Sequence, residues 1–579
     1  MHHPLTLAGA DAAAGPAQET PQNIDFIWGV KIPMRDGVRL NATVYKPKDP
    51  APTPAIFTLT PYIADSYHPR AYYFAQRGYA FALVDCRGRG NSDGEFEPFV
   101  NEGRDGCDIV AWLAEQPWCN GAVTMWGGSY GGFDQWMTLK EAPAPLRTIV
   151  PAASVHPGVD LPLSNIFYST EMQWLTFTSG VTGNFNLFAE QGFWIEKFRE
   201  LYLNHRPFKE LDQVVGNHST VFQTWLQHPT PDAYWDRMAL TPAEYDRIDI
   251  PILTITGYYD GDQPGALHFY RQHMQSASPA RDQHYLIIGP WDHPGTRTPN
   301  REFGGLTFGE ASLLDLNKLH AEWYDWTLKD GAQPEFLQQR VAYYLAGAEE
   351  WKHVDSLDAI ASETRRLYLS SHDGRAGDVF HSGHLQQALP AESTPDGYVY
   401  DPLDVRPAEL EREDVKPYLT DQRYALNLFG NGLVYHSAPL EVDTEVTGHV
   451  RLVVWIALDV PDTDFHATLY EILPDGRSIQ LTDAWMRARY RESLRHEQLV
   501  TPGEINFYQF DSFTFFSRRI ARGSRLRLLF DSPNSITMQK NYNSGGVVAD
   551  ESGQDARTAH VTLYHDPEHP SYLELPVAL

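Results

Sequence analysis

The sequence predicts an α/β protein in three parts: a mostly parallel sheet flanked by helices, a helical cap inserted into it, and a C-terminal β jelly roll or sandwich. Three observations carry that expectation. Short apolar, β-rich runs alternate with helical stretches over 25–159 and again over 245–350, the sequence form of a parallel sheet covered by helices. The stretch between them, 160–244, has no such runs and is crowded with aromatic residues. From 351 to 579 the pattern changes to short alternating segments separated by turns such as Pro474-Asp475-Gly476, the grammar of a sandwich.

Size and composition fit this division. A chain of 579 residues exceeds what a single core fills, and 42% hydrophobic, 13% aromatic and 21% charged residues describe an ordinary globular protein. A formal net charge of -29 repels phosphate backbones and anionic lipid, which argues against nucleic acid and membrane surfaces as partners. Cys86, Cys107 and Cys119 are too few for a disulfide framework and read as small core residues. Residues 1–24, rich in Ala, Gly, Pro and Gln, read as a flexible lead without the basic start and apolar run of a secretory signal. The expected location is the cytoplasm, and a homo-oligomer is left open.

In chain order, the sheet runs are Ala55 to Leu59, Ala80 to Val84, Ala122 to Trp126, Thr148 to Ala153, Pro251 to Gly257 and Tyr285 to Gly289. A Leu319, Trp323, Trp326 stripe marks an amphipathic helix after them. In the cap, the rings of Phe167, Tyr168, Trp174, Phe177, Phe193 and Trp194 read mostly as core packing, with a few expected to line an apolar substrate pocket, Trp174 and Phe177 being the candidates. Sandwich strands are expected at Leu452 to Leu458, Ala467 to Ile472 and Leu526 to Phe530.

The strongest chemical signal is the run from Ala122 straight into Gly127-Gly128-Ser129-Tyr130-Gly131, a buried-type strand ending in G-x-S-x-G. A serine exposed at the tip of a tight strand-to-helix turn needs small neighbours, and Gly127 and Gly131 are expected to supply that room. Such a serine is a nucleophile only with a base and a group to hold that base, in the chain order Ser, acid, His. Asp260 follows the Pro251 run and His293 follows the Tyr285 run, both at strand ends, with Asp262 and Asp292 as competitors for the acid. The Tyr130 N–H is a candidate oxyanion donor, and Tyr62 stands where a second donor is needed.

The sequence has no H-E-x-x-H, paired Cys-x-x-Cys or EF-hand loop, so neither a catalytic metal nor a cofactor is expected. Gly88, Gly90 and Gly94 miss the dinucleotide fingerprint because Asp93 occupies the third glycine's place. The run Asp85-Cys86-Arg87-Gly88-Arg89-Gly90 reads as a structural loop.

Together the motifs resemble the family of bacterial cocaine esterase, α-amino acid ester hydrolases, glutaryl-cephalosporin acylases and X-Pro dipeptidyl-peptidases. The resemblance rests on Thr60-Pro61-Tyr62, the run Asp85 to Gly94, Gln116-Pro117-Trp118, Gly127 to Gly132, Gly257 to Gly261, Gly289 to His293 and, in the sandwich, Leu473 to Arg477 and Asn541 to Gly546. It implies an α/β-hydrolase domain with a cap and a jelly roll, and a triad of Ser129, Asp260 and His293. It also implies an oxyanion hole of the Tyr62 hydroxyl and Tyr130 N–H.

The expected activity is hydrolysis of a small-molecule carboxylic ester. The alternatives are an amide or β-lactam side-chain acylase, an α-amino acid ester hydrolase, an X-Pro dipeptidyl aminopeptidase, and a binding protein with a decayed hydrolase domain. Where α-amino acid ester hydrolases carry an acidic pair after the triad acid, this chain has Asp262 and Gln263, so Asp262 is a candidate contact for a cationic acyl group.

Overall fold

The computed structural model describes residues 23–360, 362–378, 380–412 and 416–578, so the expected flexible lead lies almost wholly outside the described residues. The first sheet begins with β1 (Ile24–Pro33), β2 (Arg39–Pro47), β3 (Thr53–Thr60), β4 (Ala80–Asp85), β5 (Cys119–Gly128), β6 (Leu146–Ala152), β7 (Ile252–Tyr259) and β8 (His284–Asp292). After a two-stranded ribbon, β9 (Glu302–Phe303) and β10 (Leu306–Thr307), it is completed by β11 (Val341–Leu345) and β12 (Glu350–Val354). The spatial order is β1-β2-β4-β3-β5-β6-β7-β8-β11-β12. The strands from β3 to β8 and on to β11 pair in parallel, and antiparallel pairs occur at both edges.

Parallel strands covered on both faces must be apolar on both, and β4 is buried at every position. Alternate residues then feed two cores. Ala55, Phe57 and Leu59 of β3 pack with Ile109, Leu113 and Trp136, whereas Ile56 packs with Phe74, Trp323 and Tyr324 on the other face. Each apolar run read from the sequence lies within or overlaps one strand. The strands β1 and β2 at one edge and β11 and β12 at the other were not among the runs read from the sequence, and β12 straddles the boundary expected at residue 350.

Between β6 and β7 the described chain carries helices such as Ser169–Phe177, Gln191–Leu203 and Thr220–Leu226, with no strand. Their rings, among them Phe188, Trp194, Phe198 and Trp225, join the hydrophobic core of the first sheet. The C-terminal part is a thirteen-stranded, mainly antiparallel β structure that includes Arg451–Leu458, Asp464–Ile472 and Arg525–Asp531. Its apolar faces close on one another and on Tyr258, Leu286 and Ile288. Gln263 fastens the two parts. Its amide donates to Gly257 O and Phe515 O at 2.9 Å each, and its carbonyl accepts from Phe515 N at 2.7 Å.

Candidate active site

Every polar group expected to do chemistry sits just past the C-terminal end of a parallel strand, where an open α/β sheet forms its ligand crevice. Ser129 links β5 to the helix Tyr130–Lys140 with φ 61° and ψ -123°, a conformation that costs a non-glycine residue of order 1–3 kcal/mol and is imposed by the packing around it. The close approach is not distributed as the sequence suggested. A Cβ on Gly132 would lie 2.5 Å from Ser154 Oγ and 2.7 Å from Ala152 O, and one on Gly127 about 3.1 Å from Gly131 O. One on Gly131 would meet nothing nearer than Leu59 O at 3.7 Å. The crowding therefore falls on Gly132, which faces β6 across the helix, on Gly128, where a Cβ would lie 2.6 Å from the Arg297 side chain, and less tightly on Gly127.

Asp260 follows β7 and is almost fully buried. Its Oδ1 accepts from His293 Nδ1 at 2.7 Å and from Asp262 N at 3.0 Å, and its Oδ2 accepts from Thr256 Oγ1 at 3.1 Å. Of the competing acids, Asp262 stands 3.6 Å from the same imidazole nitrogen, and Asp292 caps its own turn by accepting from Gly295 N at 3.0 Å. With Nδ1 bonded to a carboxylate, Nε2 is the basic nitrogen. It has no hydrogen-bond partner among the described residues.

Tyr62, two residues past β3, accepts from Trp174 Nε1 at 2.9 Å and stacks on Phe177 with ring centroids 5.4 Å apart. An indole N–H can only donate, so the Tyr62 oxygen is the acceptor and its own hydrogen is free to point elsewhere. Burial drives the phenol's pKa up, keeping the proton on, against the smaller lowering effects of Trp174 and Ser129 beside it. The Tyr130 side chain turns away from the cavity chemistry: its hydroxyl accepts from Phe99 N at 2.7 Å and donates to Glu102 Oε1 at 2.6 Å. Its backbone N–H opens the helix and belongs to the first turn, whose donors have no intrahelical acceptor.

Ser129, Asp260, His293, Tyr62, Tyr130, Asp262 and Trp174 share one cavity of about 440 Å³. Phe177, expected to touch substrate, is not among its walls. It lies behind Tyr62 and braces that ring, being 1% exposed. Gln263 is likewise withdrawn, because its amide is spent on backbone.

The sequence did not point to several wall residues. Asp160 accepts from His156 N at 2.7 Å and Gly265 N at 2.8 Å, and Glu171 accepts from Tyr168 N at 3.2 Å. Burial pushes both carboxyls, and that of Asp262, well above the usual carboxylate range. The far wall comes from the C-terminal part, including Tyr418, Leu419 and Leu481 to Asp483. These residues carry no motif, and only the docking of the sandwich brings them to the crevice. Asp260, Asp262 and His293 also bring ligand atoms within 4.8 Å of one another. His293 and Asp260 already satisfy each other there.

Among the described residues no helix is long and apolar enough to cross a membrane. Residues 36–295 match the family model of X-Pro dipeptidyl-peptidase (S15 family), and residues 324–574 match that of the X-Pro dipeptidyl-peptidase C-terminal non-catalytic domain. The cocaine esterase of Rhodococcus sp. (strain MB1 Bresler) is 28% identical over 589 residues, covering 96% of this chain and 99% of the relative. An aminopeptidase from a marine sediment Thaumarchaeota archaeon shares the fold with a TM-score of 0.83 at 22% identity, over 98% of this chain and 99% of that one. An α-amino acid ester hydrolase does so with a TM-score of 0.82 at 22% identity, over 99% and 100%. With both halves matched in order and a relative aligned along its whole length, the chain belongs to the cocaine esterase and X-Pro dipeptidyl-peptidase-like family of α/β-hydrolases, serine hydrolases of ester or amide bonds.

Proposed function

We propose that this protein hydrolyses a small carboxylic ester through an acyl-enzyme on Ser129. The observation that carries the reading is that the Ser129 elbow opens on the same cavity as the unbonded Nε2 of His293, whose Nδ1 is held by Asp260. Ser129 Oγ attacks the acyl carbon while its proton passes to Nε2. The oxyanion is met by the Tyr62 hydroxyl and the Tyr130 N–H, and Asp260 balances the imidazolium. As the tetrahedral species collapses, Nε2 returns the proton to the departing oxygen. Water then repeats the sequence, giving its proton to Nε2 and its oxygen to the acyl group, and Ser129 recovers its hydrogen.

An ester is favoured over an amide because an alkoxide or phenolate leaves more readily. The ring-lined cavity, with Phe99, Tyr168, Trp174, Trp225 and Phe303 in its walls, suits an apolar or aromatic acyl group.

A fluorophosphonate probe is expected to label wild-type protein at one site and to leave Ser129→Ala unlabelled, with turnover of p-nitrophenyl esters lost in parallel. An unlabelled wild type would point to a binding protein instead. X-Pro anilides and β-lactam side-chain amides, run beside the esters, test the peptidase and acylase alternatives.

A second reading concerns the acyl group. Glu171, buried, and Asp160 and Asp262, half-buried, put three carboxyls in the cavity wall, an arrangement that a cationic group on the substrate would relieve. Acyl esters with and without an α-amino group, compared on wild type and Asp262→Asn, test it. Unchanged discrimination removes Asp262 from recognition.

A further inference from the structure

The loop Asp85 to Gly90 reads from sequence as structural, yet both ends of the Tyr62 segment are tied to it. Asp85 Oδ1 accepts from Ala64 N at 2.7 Å, two residues after Tyr62. Arg89 Nε donates to Pro61 O at 2.8 Å, one residue before it. A Cβ on Gly90 would lie 2.3 Å from Asp85 Oδ2, so the loop needs glycine there to bring the two ties together.

Arg89 is fully buried and forms no ion pair among the described residues, which makes it an isolated charge in the interior. Such a charge is costly unless its donors are satisfied. Here all five N–H groups meet carbonyls. Besides Pro61 O, Nη1 donates to Ser179 O at 3.1 Å and to Gly180 O, and Nη2 donates to Phe177 O at 3.3 Å and Thr182 O at 3.4 Å. Four of those carbonyls belong to the turn that ends the cap helix Ser169–Phe177, where a cation also meets the negative end of the helix dipole. That helix carries Trp174, the donor to the Tyr62 hydroxyl, and Phe177, the ring stacked on Tyr62.

We infer that Arg89 is a positioning residue for the reaction: its guanidinium fixes the Tyr62 backbone and the end of the cap helix in one frame and thereby aims the Tyr62 hydroxyl at the oxyanion. This rests on the reading of Tyr62 as an oxyanion donor. Only a planar fork of five donors spans both segments; lysine, with three donors on one atom, cannot.

The test is a double-mutant cycle of Arg89→Lys and Tyr62→Phe on a p-nitrophenyl ester. Rates are expressed per serine counted by fluorophosphonate labelling, so that unfolded protein does not enter kcat. Arg89→Lys is expected to lower kcat about 10- to 100-fold, the scale of a misplaced reacting group, with KM little changed. In the Tyr62→Phe background the same substitution is expected to change kcat by less than about threefold, because the hydroxyl it aims is gone. Equal effects in both backgrounds overturn the inference, as does a fall in thermal midpoint with kcat per site intact. Wild-type turnover in Tyr62→Phe alone marks failure of the oxyanion reading instead. Where Arg89→Lys yields no labelled protein, the cycle is run with Arg89→Gln. Absence of labelled protein for both assigns Arg89 to folding and overturns the positioning role.

Discussion

His293 donates through Nδ1 to Asp260 at 2.7 Å, while the carboxylate of Asp262 stands 3.6 Å from the same nitrogen. Two acids face one imidazole, and the geometry ranks them. Asp260 holds the hydrogen bond and is itself oriented by Asp262 N and Thr256 Oγ1. Asp260→Asn is expected to lower kcat on an uncharged ester by about four orders of magnitude, since an amide favours the wrong tautomer. Asp262→Asn is expected to cost less than about tenfold, the size of a nearby charge rather than a lost partner. Steady-state kinetics on both variants decides, and a reversed order transfers the orienting role to Asp262.

Tyr62 is held by an indole donor and kept protonated by burial, so its hydroxyl is prepared to donate. Tyr62→Phe is expected to lower kcat by about 10²–10³ with the fold intact, the usual size of one oxyanion donor. Trp174→Phe removes the N–H that orients that oxygen and also trims a ring of the cavity wall; kcat is expected to fall about three- to tenfold, in line with one neutral hydrogen bond, with any change in the wall read in KM. Near-normal turnover in Tyr62→Phe, with circular dichroism unchanged, takes the residue out of the reaction.

The elbow makes a stability prediction that separates neighbouring glycines. In Gly132→Ala the new methyl would sit 2.5 Å from Ser154 Oγ and 2.7 Å from Ala152 O, so helix Tyr130–Lys140 must lift from β6. A loss of about 1–3 kcal/mol is expected, with reduced turnover because Ser129 moves with the helix. Gly131→Ala meets only Leu59 O at 3.7 Å and gains helix propensity, so its thermal midpoint is expected to hold or rise. Equal destabilisation of both variants in denaturant titrations contradicts this assignment of the crowding.

Ser129, Asp260, His293 and Tyr62 were legible because each immediately follows a run whose apolar, β-rich character is local, and a strand's end is readable without knowing its neighbours. The same locality found β3 to β8 and the aromatic, strandless cap. Features that depend on distant packing were not legible. Gly131 and Gly132 differ only in which faces β6, Phe177 and Trp174 only in which side of Tyr62 each ring takes, and Asp160 needs the amides of His156 and Gly265 around it. The wall from Leu481 to Asp483 depends on the docking of the sandwich, and β11 and β12 gave no signal strong enough to separate them from the segments beside them.

Beneath the elbow, Glu102 accepts from the Tyr130 hydroxyl at 2.6 Å, and Asp134, fully buried, finds no partner for either oxygen among the described residues. Burial pushes the Glu102 carboxyl from its ordinary 4.5 up to about 7, and Asp134 is driven higher than normal by the same cause. A raised folded-state pKa means that the native protein keeps a proton the unfolded chain has released. The contribution of Glu102 is therefore fully present below about pH 4.5 and is lost as pH rises through about 7, where the native state must ionise a buried carboxyl. Glu102→Gln keeps an acceptor for Tyr130 and cannot ionise. Its thermal midpoint relative to wild type is expected to climb between pH 4.5 and 7 and to level off above, as measured by calorimetry across that window. A difference that stays constant with pH would mean that Glu102 titrates alike in the folded and unfolded chain, and that the hydrogen bond from Tyr130 offsets its burial.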